Sequence, residues 1–298
     1  MTTALGLLPD FLLIILGYAL RRWLHLGDHF WTGLEKLVYF VLFPALLFNS
    51  LARADLAWAT AAPLLATGLL TMMTGMLLGG VARCLFTMSH ASFASQFQCA
   101  FRFNTYIGLA VAAKLYGTEG IAAMGLLTGA MVPPVNLAAV GMLARLGGAS
   151  VWRELAKNPL LLGTLAGLAW NISGLPVPAP VAQFMGRLAD AAIALGLLAV
   201  GAALRLKGRP GGGYGAGAWF LGVKLLALPL VTIAVAGLMG LTGVYFGVAL
   251  AFAALPTASS AYILAQRMGG DGASVAWLIS AGTLAAMVTL PLWLAFGC

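Results

Sequence analysis

The stretch Phe101-Arg102-Phe103-Asn104-Thr105-Tyr106-Ile107-Gly108 places an arginine, an asparagine and a threonine in the middle of an apolar segment, residues 92–116. A lipid bilayer offers these side chains no water, so polar groups at membrane depth normally face a cavity or the interior of a helix bundle. A second such stretch, Leu255-Pro256-Thr257-Ala258-Ser259-Ser260-Ala261-Tyr262, lies in the second half of the chain. We expect the two stretches to meet and to form one site.

The composition predicts a polytopic, all-α membrane protein. Of the 298 residues, 62% are hydrophobic and 8% are charged, whereas soluble proteins carry about 25% charged residues. Apolar runs of about 20 residues, the length of a membrane-spanning helix, recur along the chain. The net charge of +8 comes from basic residues scattered between these runs. It therefore does not predict nucleic-acid binding, and the three cysteines show no disulfide or metal spacing.

The apolar runs predict ten membrane-spanning helices. They cover residues 4–22, 31–51, 57–83, 92–116, 119–144, 157–174, 178–204, 217–240, 242–267 and 273–296. The connectors after odd-numbered spans hold ten Lys and Arg residues, and those after even-numbered spans hold two. Because basic connectors stay in the cytoplasm, we expect both termini outside. The first apolar run has no basic residue before it, so an uncleaved first helix is expected.

Ten spans divide the chain into two halves of five, residues 1–148 and 149–298, which would enter the membrane in opposite orientations. Residues 114–120 resemble residues 266–272 at an offset of 152, and the same offset pairs Asn104 with Pro256. Inverted repeats with helices interrupted at matching positions are typical of secondary transporters that bind their substrate near the bilayer midplane.

Residue counts place both interruptions at that depth. Twelve residues separate Ser92 from Asn104, and 12 separate Val244 from Pro256. This is about 18 Å of helix in a hydrocarbon core about 30 Å thick. Spans four and nine run in opposite directions, so the N-termini of their second halves converge. Free N–H groups and partial positive charge at these ends favour an anion.

With these residues assembled, the chain resembles the auxin efflux carrier family, which contains bacterial carriers of small organic acids related to the plant PIN proteins. The resemblance covers nearly the full length. Its motifs are Phe43-Pro44-Ala45-Leu46-Leu47-Phe48, Asn104-Thr105-Tyr106-Ile107-Gly108-Leu109-Ala110, Pro134-Val135-Asn136, Asn158-Pro159-Leu160 and Leu255–Tyr262.

The resemblance implies two inverted five-helix repeats with broken helices four and nine crossing, as in sodium/proton antiporters. It also implies scaffold and transport domains built from both repeats, elevator-type movement, a bacterial inner-membrane location and substrate contacts at Asn104, Tyr106 and the Pro256 interruption. A homodimer and a coupling proton or sodium ion are left open. Two features depart from the plant members: their proline in span four and their long cytoplasmic loop are absent.

Eleven residues make up the predicted substrate site: Asn49, Arg102, Asn104, Thr105, Tyr106, Asn136, Pro256, Thr257, Ser259, Ser260 and Tyr262. Arg102 either faces a substrate carboxylate, which a guanidinium matches in a bidentate manner, or pairs inside the bundle. Asn104 either binds substrate or caps the following helix, or does both. Asn136 either donates hydrogen bonds to the carbonyls that Pro133 and Pro134 leave without a donor, or reaches the cavity.

Other ionisable residues within the spans have local explanations. Arg187 and Asp190 are one helical turn apart, so we expect an ion pair. Lys224 lies about two turns into span eight, and we expect it to snorkel to the interface.

The leading function is a carrier of small organic anions, mono- or dicarboxylates, without a metal or cofactor. A sodium- or proton-coupled antiporter or symporter of the same architecture is the alternative, although antiporters need carboxylates at the crossing. An enzyme is not expected, because no nucleophile with a base, metal motif or catalytic aspartate pair is present.

Overall fold

The computed structural model describes residues 2–24, 26–54, 58–143, 159–205 and 208–297. These residues form helices joined by short connectors, with no strand among them. The predicted all-α class is therefore confirmed. The basic connector residues Arg145, Arg153, Lys157 and Lys207 lie outside the described residues.

In chain order the helices are α1 Thr2–Trp23, α2 Asp28–Leu37, α3 Phe43–Leu51, α4 Trp58–Leu85, α5 His90–Phe97, α6 Thr105–Leu143, α7 Pro159–Ser173, α8 Ala179–Ala202, α9 Gly213–Gly222, α10 Leu228–Leu238, α11 Gly243–Ala254, α12 Ser260–Arg267 and α13 Gly272–Gly297. Two π-helical segments, Val38–Leu42 and Val223–Ala227, join α2 to α3 and α9 to α10, and a 3-10 turn, Gln98–Ala100, follows α5.

Six helical stretches in the described part of the chain are long and apolar enough to cross a bilayer. They are Asp28–Leu51, Ala61–Leu85, His90–Leu143, Ala179–Ala202, Gly213–Leu238 and Gly272–Ala295. Helix α11 is apolar but shorter. The chain is thus a multi-pass membrane protein.

Both π-helical segments lie immediately before a proline at the second position of the next helix. Pro44 follows Val38–Leu42, and Pro229 follows Val223–Ala227. A proline inside a helix has no N–H and its ring crowds the preceding turn, so the helix widens locally. The carbonyl of Leu225, four residues before Pro229, accepts instead a 2.7 Å bond from the Trp293 indole N–H.

Glycines allow α1 and α8 to pack with their backbones in close contact. A Cβ on Gly17 would overlap the carbonyl of Leu198, and one on Gly201 would overlap the carbonyl of Ile14. Helices α3 and α7 meet in the same way, because a Cβ on Gly163 would meet the backbone of Pro44. Small residues at helix interfaces are the usual route to tight packing in membranes.

Two short non-helical stretches separate helices that otherwise follow one another, and five of the eleven candidate residues lie in them. The first break, residues 101–104, lies between the 3-10 turn and α6, and the second break, residues 255–259, lies between α11 and α12. Leu255 is extended, with φ −62° and ψ 142°, as the residue before a proline prefers. In the first break, which has no proline, Phe101 leaves the helical region with φ −134° and ψ −16°.

Helix α6 has a kink at Gly117, where φ is 57° and ψ is −140°. Only glycine adopts this conformation without strain.

Two local expectations are wrong. Arg187 and Asp190 form no ion pair within 4 Å; the salt bridge among the described residues joins Arg21 to Asp28 at 2.6 Å. Lys224 does not snorkel, because its side chain is 2% exposed.

Candidate functional site

Hydrogen bonds join the two breaks and the helical turns next to them. The Asn104 N–H donates to the Pro256 carbonyl at 2.8 Å. The Thr257 hydroxyl donates to the Cys99 carbonyl at 2.9 Å, and the Gln98 amide donates to the Ala261 carbonyl at 3.1 Å. Interruption of a helix frees carbonyls that lipid cannot satisfy. Each break therefore supplies partners for the backbone of the other.

Asn104 caps the N-terminus of α6. Its Oδ1 accepts bonds from the N–H groups of Tyr106 at 3.0 Å and Ile107 at 3.3 Å, and its carbonyl accepts from Gly108 at 3.0 Å. This is the usual N-cap arrangement. The Asn104 residue is 4% exposed, and its Nδ2 donates to no described residue. The capping role leaves the amide N–H groups available to a ligand.

Arg102 lies in the first break and is 5% exposed. Its Nη1 donates to the Ser260 hydroxyl at 2.9 Å, and its Nη2 donates to the Asn136 side-chain oxygen at 2.7 Å. Its buried Nε has no acceptor among the described residues. No carboxylate of the described residues lies within 4 Å of the guanidinium. Arg102 therefore has neutral partners, a buried Nε–H without an acceptor and no carboxylate beside its charge.

The candidate aromatic residues are held by other rings or by a neighbouring side chain. The Tyr106 ring stacks on Phe43, with centroids 4.5 Å apart and planes 5° apart. The Tyr262 hydroxyl accepts a 3.2 Å bond from Gln266, and the Arg205 guanidinium lies 5.5 Å from the Tyr262 ring centroid. Tyr106 thus packs α6 against α3, in the plain packing role that tyrosines in helix bundles often have.

A cavity of about 330 Å³ lies beside the second break. Two of the candidate residues, Ser259 and Tyr262, line it, and so do the cations Arg21 and Arg205. The remaining lining residues are Asp28, Trp31, Thr32, Glu35, Ala203, Ile263, Ala276 and Ile279. The cavity therefore connects the second break with the side of the protein where Arg21, Arg205 and Asp28 lie.

The structure does not group all eleven candidates. Hydrogen bonds link Arg102 with Asn136 and Ser260, and they link Asn104 with Pro256. Thr257 bonds the Cys99 carbonyl, and Thr105 begins α6 directly after Asn104. Asn49 instead accepts a hydrogen bond from Arg53 on the adjacent turn. The Oδ1 of Asn136 accepts a hydrogen bond from Arg102, so Asn136 joins α6 to the first break.

Lys224 is a further buried cation at the breaks. Its Nζ donates a 2.8 Å hydrogen bond to the Ala253 carbonyl, near the end of α11. In a continuous helix this carbonyl would bond the N–H of residue 257, but the second break frees it. An ionisable residue two turns inside a span itself indicates a functional site. Lys224 could have been identified from the sequence on this ground.

Asp271 joins the α12–α13 turn to α5. Its carboxylate accepts bonds from the hydroxyls of Ser92 at 2.7 Å and Ser274 at 2.5 Å, and from the Ser274 N–H at 3.0 Å. Burial alone would raise the pKa of Asp271, but these hydrogen bonds stabilise the charged form and the net pKa lies below its ordinary value. The Ser274 hydroxyl also accepts from the Gly211 N–H at 2.7 Å.

A metal site is not apparent. Within the described ranges, no three His, Cys, Asp or Glu side chains come together as metal ligands would.

Comparisons with known proteins place these residues in context. A sequence profile for the family described as "Membrane transport protein" matches residues 142–294, about half of the chain. An "Uncharacterized transporter" of Methanothermobacter thermautotrophicus is 28% identical over 289 residues, which cover 94% of each chain. A "Putative malonate transporter" of Rhizobium meliloti is 26% identical over 301 residues, covering 96% of this chain and 94% of the relative.

Plant proteins match over a shorter region. A "Probable auxin efflux carrier component 3b" of Oryza sativa subsp. japonica is 26% identical over 166 residues, covering 54% of this chain and 28% of the rice protein. The chain thus matches less than a third of the length of this plant relative.

Proposed function

This chain belongs to the membrane transport protein family that includes the auxin efflux carriers, and we propose that it is a secondary transporter of small organic anions. Family membership makes it a membrane transporter, not an enzyme. The proposed substrates are mono- or dicarboxylates, bound where the two breaks meet. The similarity to a putative malonate transporter supports this substrate class.

The observation that carries the proposal is the state of Arg102. A buried guanidinium without a counter-ion is costly unless a ligand supplies the negative charge. Arg102 has neutral hydrogen-bond partners in Ser260 and Asn136, and its Nε–H has no acceptor. A carboxylate of the substrate would accept from Nε and compensate the charge.

The start of α6 supports the same site. Asn104 orients the first N–H groups of this helix and leaves its own Nδ2 without an acceptor. A helix N-terminus carries partial positive charge and favours an anion. We propose that Asn104 Nδ2 and Arg102 Nε bind one carboxylate together, while Thr257 and Pro256 hold the breaks against each other.

For the architecture we propose ten spans in two inverted repeats, residues 1–148 and 149–298. Helices α5 and α6 up to Gly117 would form broken span four, and α11 with α12 would form broken span nine. Scaffold and transport domains, each built from both repeats, would move by an elevator mechanism. The proposed setting is a bacterial inner membrane with both termini outside, a topology supported by the distribution of basic connectors.

The cavity supplies the proposed entry route. Its lining includes Ser259 of the second break and the cations Arg21 and Arg205. In the proposed topology Arg21 and Arg205 lie on the cytoplasmic side, and the cavity would then be open to that side. Cations along an entry route raise the local concentration of anions.

A coupled transporter of the same architecture is the second candidate. Buried side-chain oxygens of Gln96 and Gln98 have no donor among the described residues, and such oxygens could hold a sodium ion. The two breaks contain no Asp or Glu. This argues against an antiporter that exchanges cations alone, because such a protein needs carboxylates at the crossing.

The test is uptake into proteoliposomes that contain the purified full-length chain. Labelled mono- and dicarboxylates are offered with and without imposed proton and sodium gradients. We expect saturable uptake of at least one carboxylate class, and we expect Arg102→Ala and Asn104→Ala to reduce it strongly while leaving folded yield largely intact.

The control variant is Lys114→Ala, which removes an exposed cation away from the breaks. Undiminished uptake by both Arg102→Ala and Asn104→Ala would contradict the site. Robust sodium or proton flux without any carboxylate uptake would favour the cation antiporter instead.

A further inference from the structure

Two buried cations lie at opposite ends of the second break. Lys224 bonds the carbonyl of Ala253, two residues before the break begins. Arg102 bonds the hydroxyl of Ser260, the first residue after the break ends. Lys224 is 2% exposed and Arg102 is 5% exposed, so both charges are withdrawn from water.

The segment that carries Lys224 contacts both helices that lead into the breaks. This π-helical segment, Val223–Ala227, packs against Gln98–Ala100, which precede the first break, and against α11, which precedes the second. It also packs on α4 and α13. Lys224 is therefore positioned beside the proposed site, although no described contact places it in the cavity.

Neither cation has a carboxylate partner. The six acidic residues within the described ranges are Asp10, Asp28, Glu35, Glu119, Asp190 and Asp271, and none lies within 4 Å of Arg102 or Lys224. Asp55 and Glu154 lie outside the described residues. Among the described residues, Lys224 donates its hydrogen bond to a neutral carbonyl.

The ammonium form of Lys224 has a specific source of stabilisation. Carbonyls at the C-terminal end of a helix carry partial negative charge and favour a cation, and Lys224 bonds one of the last carbonyls of α11. This partial charge does not neutralise a full one. In its ammonium form Lys224 would add a second positive charge to that of Arg102 around the second break, for an incoming anion to balance, and in a region of low dielectric such charges act over several ångströms.

We propose that the site is dicationic and selects doubly charged anions, with Lys224 supplying the second charge. This inference rests on the proposed function and assigns its substrate class: short dicarboxylates in preference to monocarboxylates. Arg102 contacts one carboxylate, whereas Lys224 acts through its charge, as a specificity-determining residue that need not touch the substrate.

The experiment compares malonate with malonamate, its half amide, which has nearly the same shape and one negative charge less. Uptake of each is measured at neutral pH in proteoliposomes with the full chain. We expect the wild type to prefer malonate by at least about tenfold, since a unit charge near the site contributes a factor of this order. Lys224→Met should reduce malonate uptake and bring the ratio close to one, while malonamate uptake persists.

Lys224→Arg, which keeps the charge, should keep the preference for malonate, and Lys114→Met should behave as the wild type because Lys114 is exposed and away from the breaks. Equal wild-type uptake of malonate and malonamate overturns the inference, even if Lys224→Met does not fold. An unchanged ratio in folded Lys224→Met also overturns it. In both cases carboxylate transport itself stands. If wild-type protein transports neither malonate nor any other carboxylate, the proposed function fails and this inference fails with it.

Discussion

The backbone N–H of Asn104 donates a 2.8 Å hydrogen bond to the carbonyl of Pro256. The residue that caps α6 is therefore bonded to the proline of the second break, 152 positions later in the chain. Asn104 begins α6 as its N-cap, and Pro256 keeps α11 from continuing because it has no N–H. The bond between them makes the two interruptions one structural unit. Changes at either residue should therefore alter both the fold around the breaks and the proposed transport.

Changes at Arg102 separate charge from hydrogen-bond geometry. Arg102→Lys keeps the charge but carries all its donors on one nitrogen, so it cannot reproduce the fork of the guanidinium, which reaches Ser260 and Asn136 from two nitrogens and presents Nε–H from a third. We expect Arg102→Lys to transport carboxylates with a KM raised by about tenfold, the cost of one hydrogen bond to a charged group. Arg102→Gln, which loses the charge, should be nearly inactive. Initial rates of uptake against concentration give the measurement, and equal KM values for Arg102→Lys and wild type would contradict it.

The role of Asn104 can be tested by adding a negative charge to the side chain that caps α6. Asn104→Asp keeps an oxygen that can accept from Tyr106 and Ile107, so we expect its thermal stability to stay near that of the wild type. The added negative charge should abolish anion uptake. Asn104→Ala should instead lose about 1 kcal/mol of stability with the cap. Thr118→Asp, an added charge at an exposed position, is the control. Normal uptake by Asn104→Asp is the outcome that would remove Asn104 from the site.

Pro256 forces the second break by its missing N–H. Pro256→Ala restores a donor that could bond the Phe252 carbonyl and extend α11. We expect uptake to fall severalfold while the midpoint of thermal unfolding stays the same or rises. Pro63→Ala, at a proline inside α4, is the matched control and should leave uptake unchanged. If both variants transport equally well, the proline at the break is not needed for transport.

Gly108 allows α6 to pack against the second break. A Cβ at this position would lie 2.8 Å from Leu255 Cδ1 and 3.3 Å from Met124 Sδ. Gly108→Val should therefore separate the breaks and cost about 1–3 kcal/mol of stability. Gly80→Val is the control, since a Cβ on Gly80 of α4 meets nothing within 4 Å. Thermal unfolding in detergent compares the two, and equal losses would show that Gly108 has no special packing role.

We expect the stability of the folded protein to depend on pH through Asp271. Its pKa is lowered in the folded protein by hydrogen bonds from Ser274 and Ser92, which outweigh burial. Its contribution is therefore complete above the unfolded pKa of about 3.9 and is lost as the pH falls through the lower folded value. Thermal unfolding of the wild type should decline more steeply below about pH 4 than that of Asp271→Asn. Parallel declines in the two proteins would contradict this.

The all-helical class could be predicted from the sequence because the length of an apolar run is a local property. The ends of the apolar runs and the two interruptions could be read from neighbouring residues alone, and Leu255 is extended because Pro256 follows it. The first break was harder to predict in detail, since no proline enforces it. Its geometry depends on Asn104 as a cap and on the 3-10 turn at Gln98–Ala100.

Side-chain partners could not be predicted in the same way. Lys224 was expected to snorkel because its distance from the span end permits it, yet it bonds the Ala253 carbonyl. Arg187 and Asp190 have the spacing of an ion pair but do not form one within 4 Å. The spacing of residues along one helix shows which side chains can reach each other. Which bond forms depends on the partners that neighbouring helices offer, such as the Ala253 carbonyl that Lys224 bonds.

The sequence by itself determined an all-helical membrane protein with polar interruptions in two apolar segments, because hydropathy and proline act on the residues beside them. Only the tertiary structure decided that Asn104 meets Pro256, that Arg102 has neutral partners and that a second cation, Lys224, lies at the second break. These relationships join residues 29 to 158 positions apart. They follow from how helices pack against one another and from the need to satisfy every buried polar group away from water.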